Sequence, residues 1–399
     1  MNKAIEQLQP YPFEKLAELV SNIDVAGEKS AINLSVGEPK HPTPPFILDS
    51  LRDNLKLAAN YPKTRGDIEL REAIATWLSH RFSLAVTSID AGQHVLPVNG
   101  TREALFAFAQ CHINRDGEGP VVVTSNPFYQ IYEGAALLAG ATPWYVNSVA
   151  ADDFETDYDA VPESIWQRCQ LLYMCSPNNP TGNVARLDTI KRLLELADKY
   201  DFVIASDECY SEIYLDEAHA PLGLLEAASM LGRDDFKRCM VFHSLSKRSN
   251  VPGMRSGFVA GDAELISRFF KYRTYHGSAM APYTQQASIV AWKDEGHVRE
   301  NRRLYREKFL KVIDILRPVM NVRLPAATFY LWAETPQSDI EFARGLFQQQ
   351  NVTVLPGRYL SREVNGVNPG ENRIRIALVA SLEECEEAAN RISTYINEL

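Results

Sequence analysis

Residues 169–210, "CQLLYMCSPNNPTGNVARLDTIKRLLELADKYDFVIASDECY", decide the fold. The stretch opens with an apolar, β-prone run that breaks at a loop rich in Asn, Pro and Gly. From Leu187 the spacing changes. Ile190, Leu193, Leu194, Leu196 and Ala197 recur at helical intervals and give one apolar stripe. A second short strand, in "YDFVIASDECY", ends on Asp207. Strand, helix, strand in this order is the unit of a parallel sheet covered by helices.

The same alternation extends outward from about residue 95 to 262. "GPVVVTSNPF", "RCMVFHSLSK" and "RSGFVAG" read as further strands. The expected fold class is α/β, with a large domain built on a mostly parallel, doubly wound sheet at 46–295. Beyond about 295 the character changes. "GHVRENRRLYREKFLKVIDILRP" reads as a long charged helix, "FYLWAE" and "NRIRIALVA" as strands, and "DIEFARGLFQQQ" and "LEECEEAANRISTYINEL" as helices. Residues 1–45 and 296–399 are therefore expected to form an N-terminal arm and a smaller α+β domain. Ligands of such sheets bind beyond the carboxyl ends of the strands. That rim carries Asn126 to Tyr129, Pro177 to Gly182, Asp207 to Tyr210 and Ser244 to Lys247.

A chain of 399 residues exceeds one simple core. The net charge of −10 disfavours a nucleic-acid partner, because phosphate contact needs a basic surface. No apolar run reaches the length of about 18 residues that a membrane helix needs. The N-terminal stretch "MNKAIEQLQPYPFEKL" lacks a signal-peptide core, so a cytoplasmic location is expected. The six cysteines form no CxxC pair, which points to free thiols in place of zinc or disulfides. Neither HExxH nor GxSxG occurs, against a zinc hydrolase or a serine hydrolase.

Lys247 follows the apolar run "CMVFHSLS" and sits among Ser244, Ser246 and Ser249. An arbitrary lysine at a strand end is simply solvated. One held in a cleft beside other cations has a lowered pKa and attacks carbonyls. The surrounding hydroxyls suit a phosphate. Asp207 reads either as a cap or as the acid that keeps a heterocycle protonated. Pyridoxal phosphate needs both a lysine for its aldehyde and an acid for its ring nitrogen. Asn179, in "PNNPTGN", is a turn residue by itself and a hydrogen-bond partner for a ring oxygen in that setting. Gly100 and Thr101 open a helix whose N-terminus is either a plain cap or a phosphate site.

In this order and spacing the chain resembles the fold-type I, pyridoxal-phosphate-dependent aminotransferases of class I/II, from "NLSVGEP" to "NRIRIALV". "SLSKRSNVPGMRSGF", "SPNNPTGN" and "SDECYSEIY" carry the resemblance. It implies that Lys247 is the Schiff-base lysine, that Asp207 partners the pyridine nitrogen, and that Asn179 and Tyr210 bond the phenolic oxygen. It implies phosphate ligands at Ser244, Ser246, Arg255, Gly100, Thr101 and Arg102, and a stacking aromatic at Tyr129. Arg375 is implied to grip the substrate α-carboxylate, with Arg373 as its competitor on the same strand face, and Gly37 to contact the substrate. Tyr61 is implied to reach the phosphate of a neighbouring subunit, hence a homodimer with shared sites. A ping-pong exchange of an amino acid with 2-oxoglutarate follows.

"LQPYPFEKL" and "GEPKHPTP" resemble the bacterial succinyldiaminopimelate aminotransferases of the lysine pathway. That implies N-succinyl-LL-diaminopimelate as amino donor. Tyr275, His276 and Ser278, which read equally as part of a structural dimer loop, or Lys40, His41 and Arg358, are candidates to face its tail. Other class I/II aminotransferases (for aspartate, alanine, aromatic amino acids or kynurenine) share the catalytic set. A C–S lyase, a cyclopropane-forming synthase or a regulator on the same fold are the remaining alternatives; no DNA-binding module is seen.

Overall fold

Side-chain alternation along the strands splits the interior into two layers. In the strand Val121–Asn126, Val121 and Val123 join one core while Val122 joins the other. In Cys169–Cys175, Leu172 and Met174 point to the first layer, and Leu171, Tyr173 and Cys175 to the second. A strand buried on both faces needs helices on both sides, and this explains its unbroken apolar run.

The computed structural model describes residues 2–85 and 87–399. In chain order its strands are β1 (Ile32–Asn33), β2 (Val95–Val98), β3 (Val121–Asn126), β4 (Thr142–Asn147), β5 (Cys169–Cys175) and β6 (Val203–Asp207). They continue with β7 (Cys239–Ser244), β8 (Gly257–Gly261), β9 (Tyr330–Glu334), β10 (Val352–Thr353), β11 (Leu355–Pro356) and β12 (Arg373–Ala377). The main sheet has the order β2-β8-β7-β6-β5-β3-β4. β8 is antiparallel to both of its neighbours, and the other pairings are parallel. The helix read from the 187–200 spacing is present as Leu187–Tyr200, and it buries Ile190, Leu193, Leu194, Leu196 and Ala197.

The second sheet is antiparallel, in the order β11-β12-β9. Helices Gly296–Leu316, Asp339–Gln350 and Leu382–Asn397 cover it around Phe309, Leu331, Phe342, Ile374 and Ile392. β1 pairs in parallel with β10, so the N-terminal segment is stitched to this lobe. The two lobes are latched beside β3. Arg362 N donates to Asn126 Oδ1 at 2.9 Å and Asn126 Nδ2 donates back to Arg362 O at 2.7 Å. The Arg362 guanidinium forks onto the buried carboxylate of Glu133 at 2.8 and 2.6 Å. All six cysteines are free. No helix among the described residues is long and apolar enough to cross a membrane.

Candidate active site

The carboxyl ends of β5, β6 and β7 open onto a cleft of about 640 Å³. The lining includes Asn179 after β5, Asp207 and Tyr210 at the end of β6, and Ser244, Ser246 and Lys247 at the end of β7. Thr101, Arg102, Tyr129 and Arg255 complete the large-lobe wall; Gly37, Tyr330 and Arg375 face them from the other side.

Lys247 lies in a single helical turn, Leu245–Arg248, that continues directly from β7. Its Nζ donates to Gly37 O at 2.5 Å. Burial pushes the amine down to about 8, with Arg375 and Arg102 adding to the fall against the opposing Cys209 and Glu38. Asp207 is buried, and desolvation raises its pKa. Opposing this, Tyr132 OH donates to its Oδ2 at 2.7 Å and Cys209 N to its Oδ1 at 3.3 Å. Tyr210 OH meets Tyr330 OH at 3.0 Å, and burial holds its proton tightly.

Four cations line the cleft: Arg102, Lys247, Arg255 and Arg375. Among the described residues, every hydrogen bond they make goes to a neutral oxygen. Arg255 reaches Pro252 O and Asn99 O. Arg375 reaches Asn179 Oδ1 at 3.0 Å and Ser35 O at 2.8 Å, and its buried Nε has no partner among the described residues. Arg102 reaches Tyr129 OH at 2.5 Å and Tyr11 OH at 3.4 Å. A buried guanidinium at Arg375 and two exposed ones at Arg102 and Arg255, none paired with a carboxylate among the described residues, suit anions.

The family model for aminotransferase class I and II matches residues 29–392. The chain belongs to the class I and II aminotransferases. An LL-diaminopimelate aminotransferase of Nitratidesulfovibrio vulgaris (Hildenborough) is 33% identical over 393 residues, which is 97% of this chain and 96% of that one. A solved aminotransferase from Neisseria meningitidis Z2491 superposes with a TM-score of 0.95 at 51% identity, with 99% of each chain covered. The structure of a probable N-succinyldiaminopimelate aminotransferase from Thermus thermophilus gives 0.83 at 26% identity, over 96% of this chain and 100% of that one.

This aminotransferase family uses pyridoxal phosphate, and the cleft fits it. Gly100 has φ +91° and precedes the helix Thr101–His112. A Cβ there would lie 2.2 Å from Arg255 Nη2, so only glycine lets that guanidinium sit over the helix N-terminus. Arg255, the open backbone N–H groups at that N-terminus, Ser244 and Ser246 can hold a phosphate. Asp207 can hold a ring nitrogen, and Arg375 is left for a carboxylate. Gly37 is equally constrained, because a Cβ would sit 1.9 Å from Tyr330 OH.

Several expected positions differ in detail. Arg102, expected at the helix N-terminus beside the phosphate, lines the cleft, and its guanidinium bonds the hydroxyls of Tyr129 and Tyr11. Arg373 lies over the Phe154 ring, clear of the cleft lining, and Arg375 is the arginine inside. Tyr61 is fully exposed and is not on the lining of this cleft. His41 is bound to Asn301 and Lys308, and Arg358 to Asp339; Lys40, Tyr275, His276 and Ser278 also lie off the lining. The sequence reading missed Tyr11, Phe13 and Tyr330 on the cleft wall and Tyr132 behind Asp207. Tyr132 falls three residues after Tyr129, one helical turn on, which is the only local signal for it.

Proposed function

We propose that this aminotransferase moves the α-amino group of N-succinyl-LL-diaminopimelate to 2-oxoglutarate. The observation that carries the amine-transfer chemistry is the meeting of Lys247, Asp207 and Arg375 in one cleft. Pyridoxal phosphate, when bound, supplies an aldehyde for the amine and a ring that accepts the electrons left when the α-proton departs. Lys247 Nζ, brought down to about 8, is partly unprotonated near neutral pH and takes the α-proton as general base. Asp207 holds the proton on the ring nitrogen, and Tyr132 OH fixes that carboxylate's direction. Tyr210 and Asn179 would serve the ring oxygen, and Tyr129 would cover the ring face. Arg375 forks onto the α-carboxylate and orients the Cα–H bond toward Lys247. Its gain is a fixed geometry that a single-point cation cannot give.

The substrate reading rests on charge. A phosphate takes Arg255 and an α-carboxylate takes Arg375, which leaves Arg102 at the mouth with only tyrosine partners. A succinylated tail brings further carboxylates and no ammonium. The second reading, free LL-diaminopimelate, is favoured by the name of the Nitratidesulfovibrio relative and by Glu38, an exposed carboxylate on the same wall that suits a distal ammonium. We further propose that 46–295 is the large domain, that Tyr61 completes the site of a second copy in a homodimer, and that the enzyme is cytoplasmic. In a half-reaction, each donor is mixed with the yellow enzyme and the loss of visible absorbance is followed. Rapid loss with the succinylated donor alone, weakened tenfold or more by Arg102→Met and untouched by Glu38→Gln, supports the first reading. Rapid loss with the free amino acid, weakened by Glu38→Gln, replaces it with the second.

A further inference from the structure

A single helical turn does not hold itself in place, and its last carbonyls lack partners within the turn. Lys247 sits in such a turn. The carbonyl of Lys247 accepts a hydrogen bond from Asn301 Nδ2 at 3.2 Å. The next three residues are gripped from the same side. Arg248 donates to Ala291 O at 2.7 Å and to Asp294 O at 3.1 Å, and pairs with Glu295. Ser249 Oγ meets His297 Nε2 at 2.8 Å. Asn250 Nδ2 donates to Asn301 Oδ1 at 3.1 Å.

Asn301 is itself oriented by a directional chain. Lys308 Nζ, buried, lies 2.7 Å from His41 Nε2. An ammonium only donates, so Nε2 accepts and the imidazole proton sits on Nδ1. His41 Nδ1 then donates to Asn301 Oδ1 at 2.7 Å. That fixes the amide so that its NH₂ end faces the Lys247 carbonyl. The His41 ring packs on Tyr305 at 4.4 Å between centroids. Burial, helped by Lys308, pushes it down to about 4, so it stays neutral.

The segment that supplies His41 also supplies Gly37, whose carbonyl holds the Lys247 amine. One stretch of five residues therefore holds Lys247 at both ends, at Nζ directly and at the backbone carbonyl through Asn301. We infer that Asn301, set by His41, is a positioning residue for Lys247. This rests on Lys247 being the reacting amine. A displacement of about 1 Å at such a group costs on the order of a hundredfold in rate.

The test uses the full-length, cofactor-loaded enzyme. Asn301→Asp keeps an oxygen for His41 and Asn250 but cannot donate to the Lys247 carbonyl. Its kcat falls at least tenfold, as in Asn301→Ala, with KM for both substrates within twofold and cofactor binding retained. The paired change His41→Phe with Lys308→Met keeps the ring stack, strands no buried charge, and shows the same pattern if the Asn301 variants do not fold. A readout independent of turnover is acetylation of Lys247 in the cofactor-free chain, mapped by mass spectrometry against pH; its midpoint rises from about 8 toward the ordinary lysine value as the loosened amine reaches water. An unchanged kcat in any folded variant lacking the bond overturns the inference, as does a loss carried by KM or by cofactor release. Lys247→Ala, run beside them, separates the two ideas: if it is active, the assignment of Lys247 fails, not only its positioning.

Discussion

In the cofactor-free chain Lys247 is a cation held in a place that disfavours cations, and this makes it a measurable liability. Replacing it by Met keeps the side-chain length and removes the charge. The amine is displaced from 10.5 to about 8. At roughly 1.4 kcal/mol per pH unit that is about 3 kcal/mol, reduced to about 2 kcal/mol because the cleft admits water to the side chain. The folded pKa lies below the unfolded one, so between pH 8 and 10.5 the unfolded chain binds the extra proton. Wild-type stability therefore gains on the Met variant as pH rises through that window, and the penalty is fully present below about pH 8. Urea midpoints of both proteins, cofactor removed, at pH 7, 8, 9 and 10 give the difference directly. Any pH-independent loss, such as the bond to Gly37 O, cancels from the slope. A difference that stays flat across these pH values refutes the idea that burial sets this amine's pKa, and with it the view that Lys247 is ready to act near neutral pH.

Arg375→Ala lowers kcat/KM by roughly a hundredfold, about 3 kcal/mol, since an α-carboxylate loses its charged partner; Arg373→Ala stays within about threefold, and steady-state kinetics on both variants checks the pair. Gly100→Ala weakens cofactor binding by about tenfold or more, read by equilibrium dialysis, because φ is +91° and the new Cβ meets the Arg255 guanidinium. Arg362→Ala strands the buried Glu133 and costs about 3 kcal/mol, seen as a lower urea midpoint of the loaded enzyme.

The strands and the helix Leu187–Tyr200 were legible because their patterns are local: apolar runs bounded by turn residues, and one stripe at helical spacing. Lys247, Asp207 and Asn179 were legible as strand-end residues on one rim. The choice between Arg373 and Arg375 was not legible from alternation, which puts both on one face. Pairing with β9 separates them by two residues, placing Arg375 opposite Trp332 and Arg373 opposite Glu334 at the strand's outer end. Arg102 bonds Tyr129, 27 residues away, and reaches Tyr11, 91 away, and His41 bonds Asn301, 260 away. Contacts at such separations leave no periodic trace. Within "GEPKHPTP", Gly37 and Glu38 line the cleft while His41 bonds Asn301 and Lys308.

The cleft wall draws on residues from Tyr11 to Arg375, nearly the whole span of the chain. No fragment and no half-folded state contains it, since the N-terminal arm, the strand rim and β12 must all be in place together. Closing contacts over such distances is the slow, late part of folding. Visible colour in a preparation thus counts finished molecules. During refolding it should lag behind the return of helix and sheet signals, and a newly made chain gains its cofactor-binding cleft only after its last strand has been released and docked.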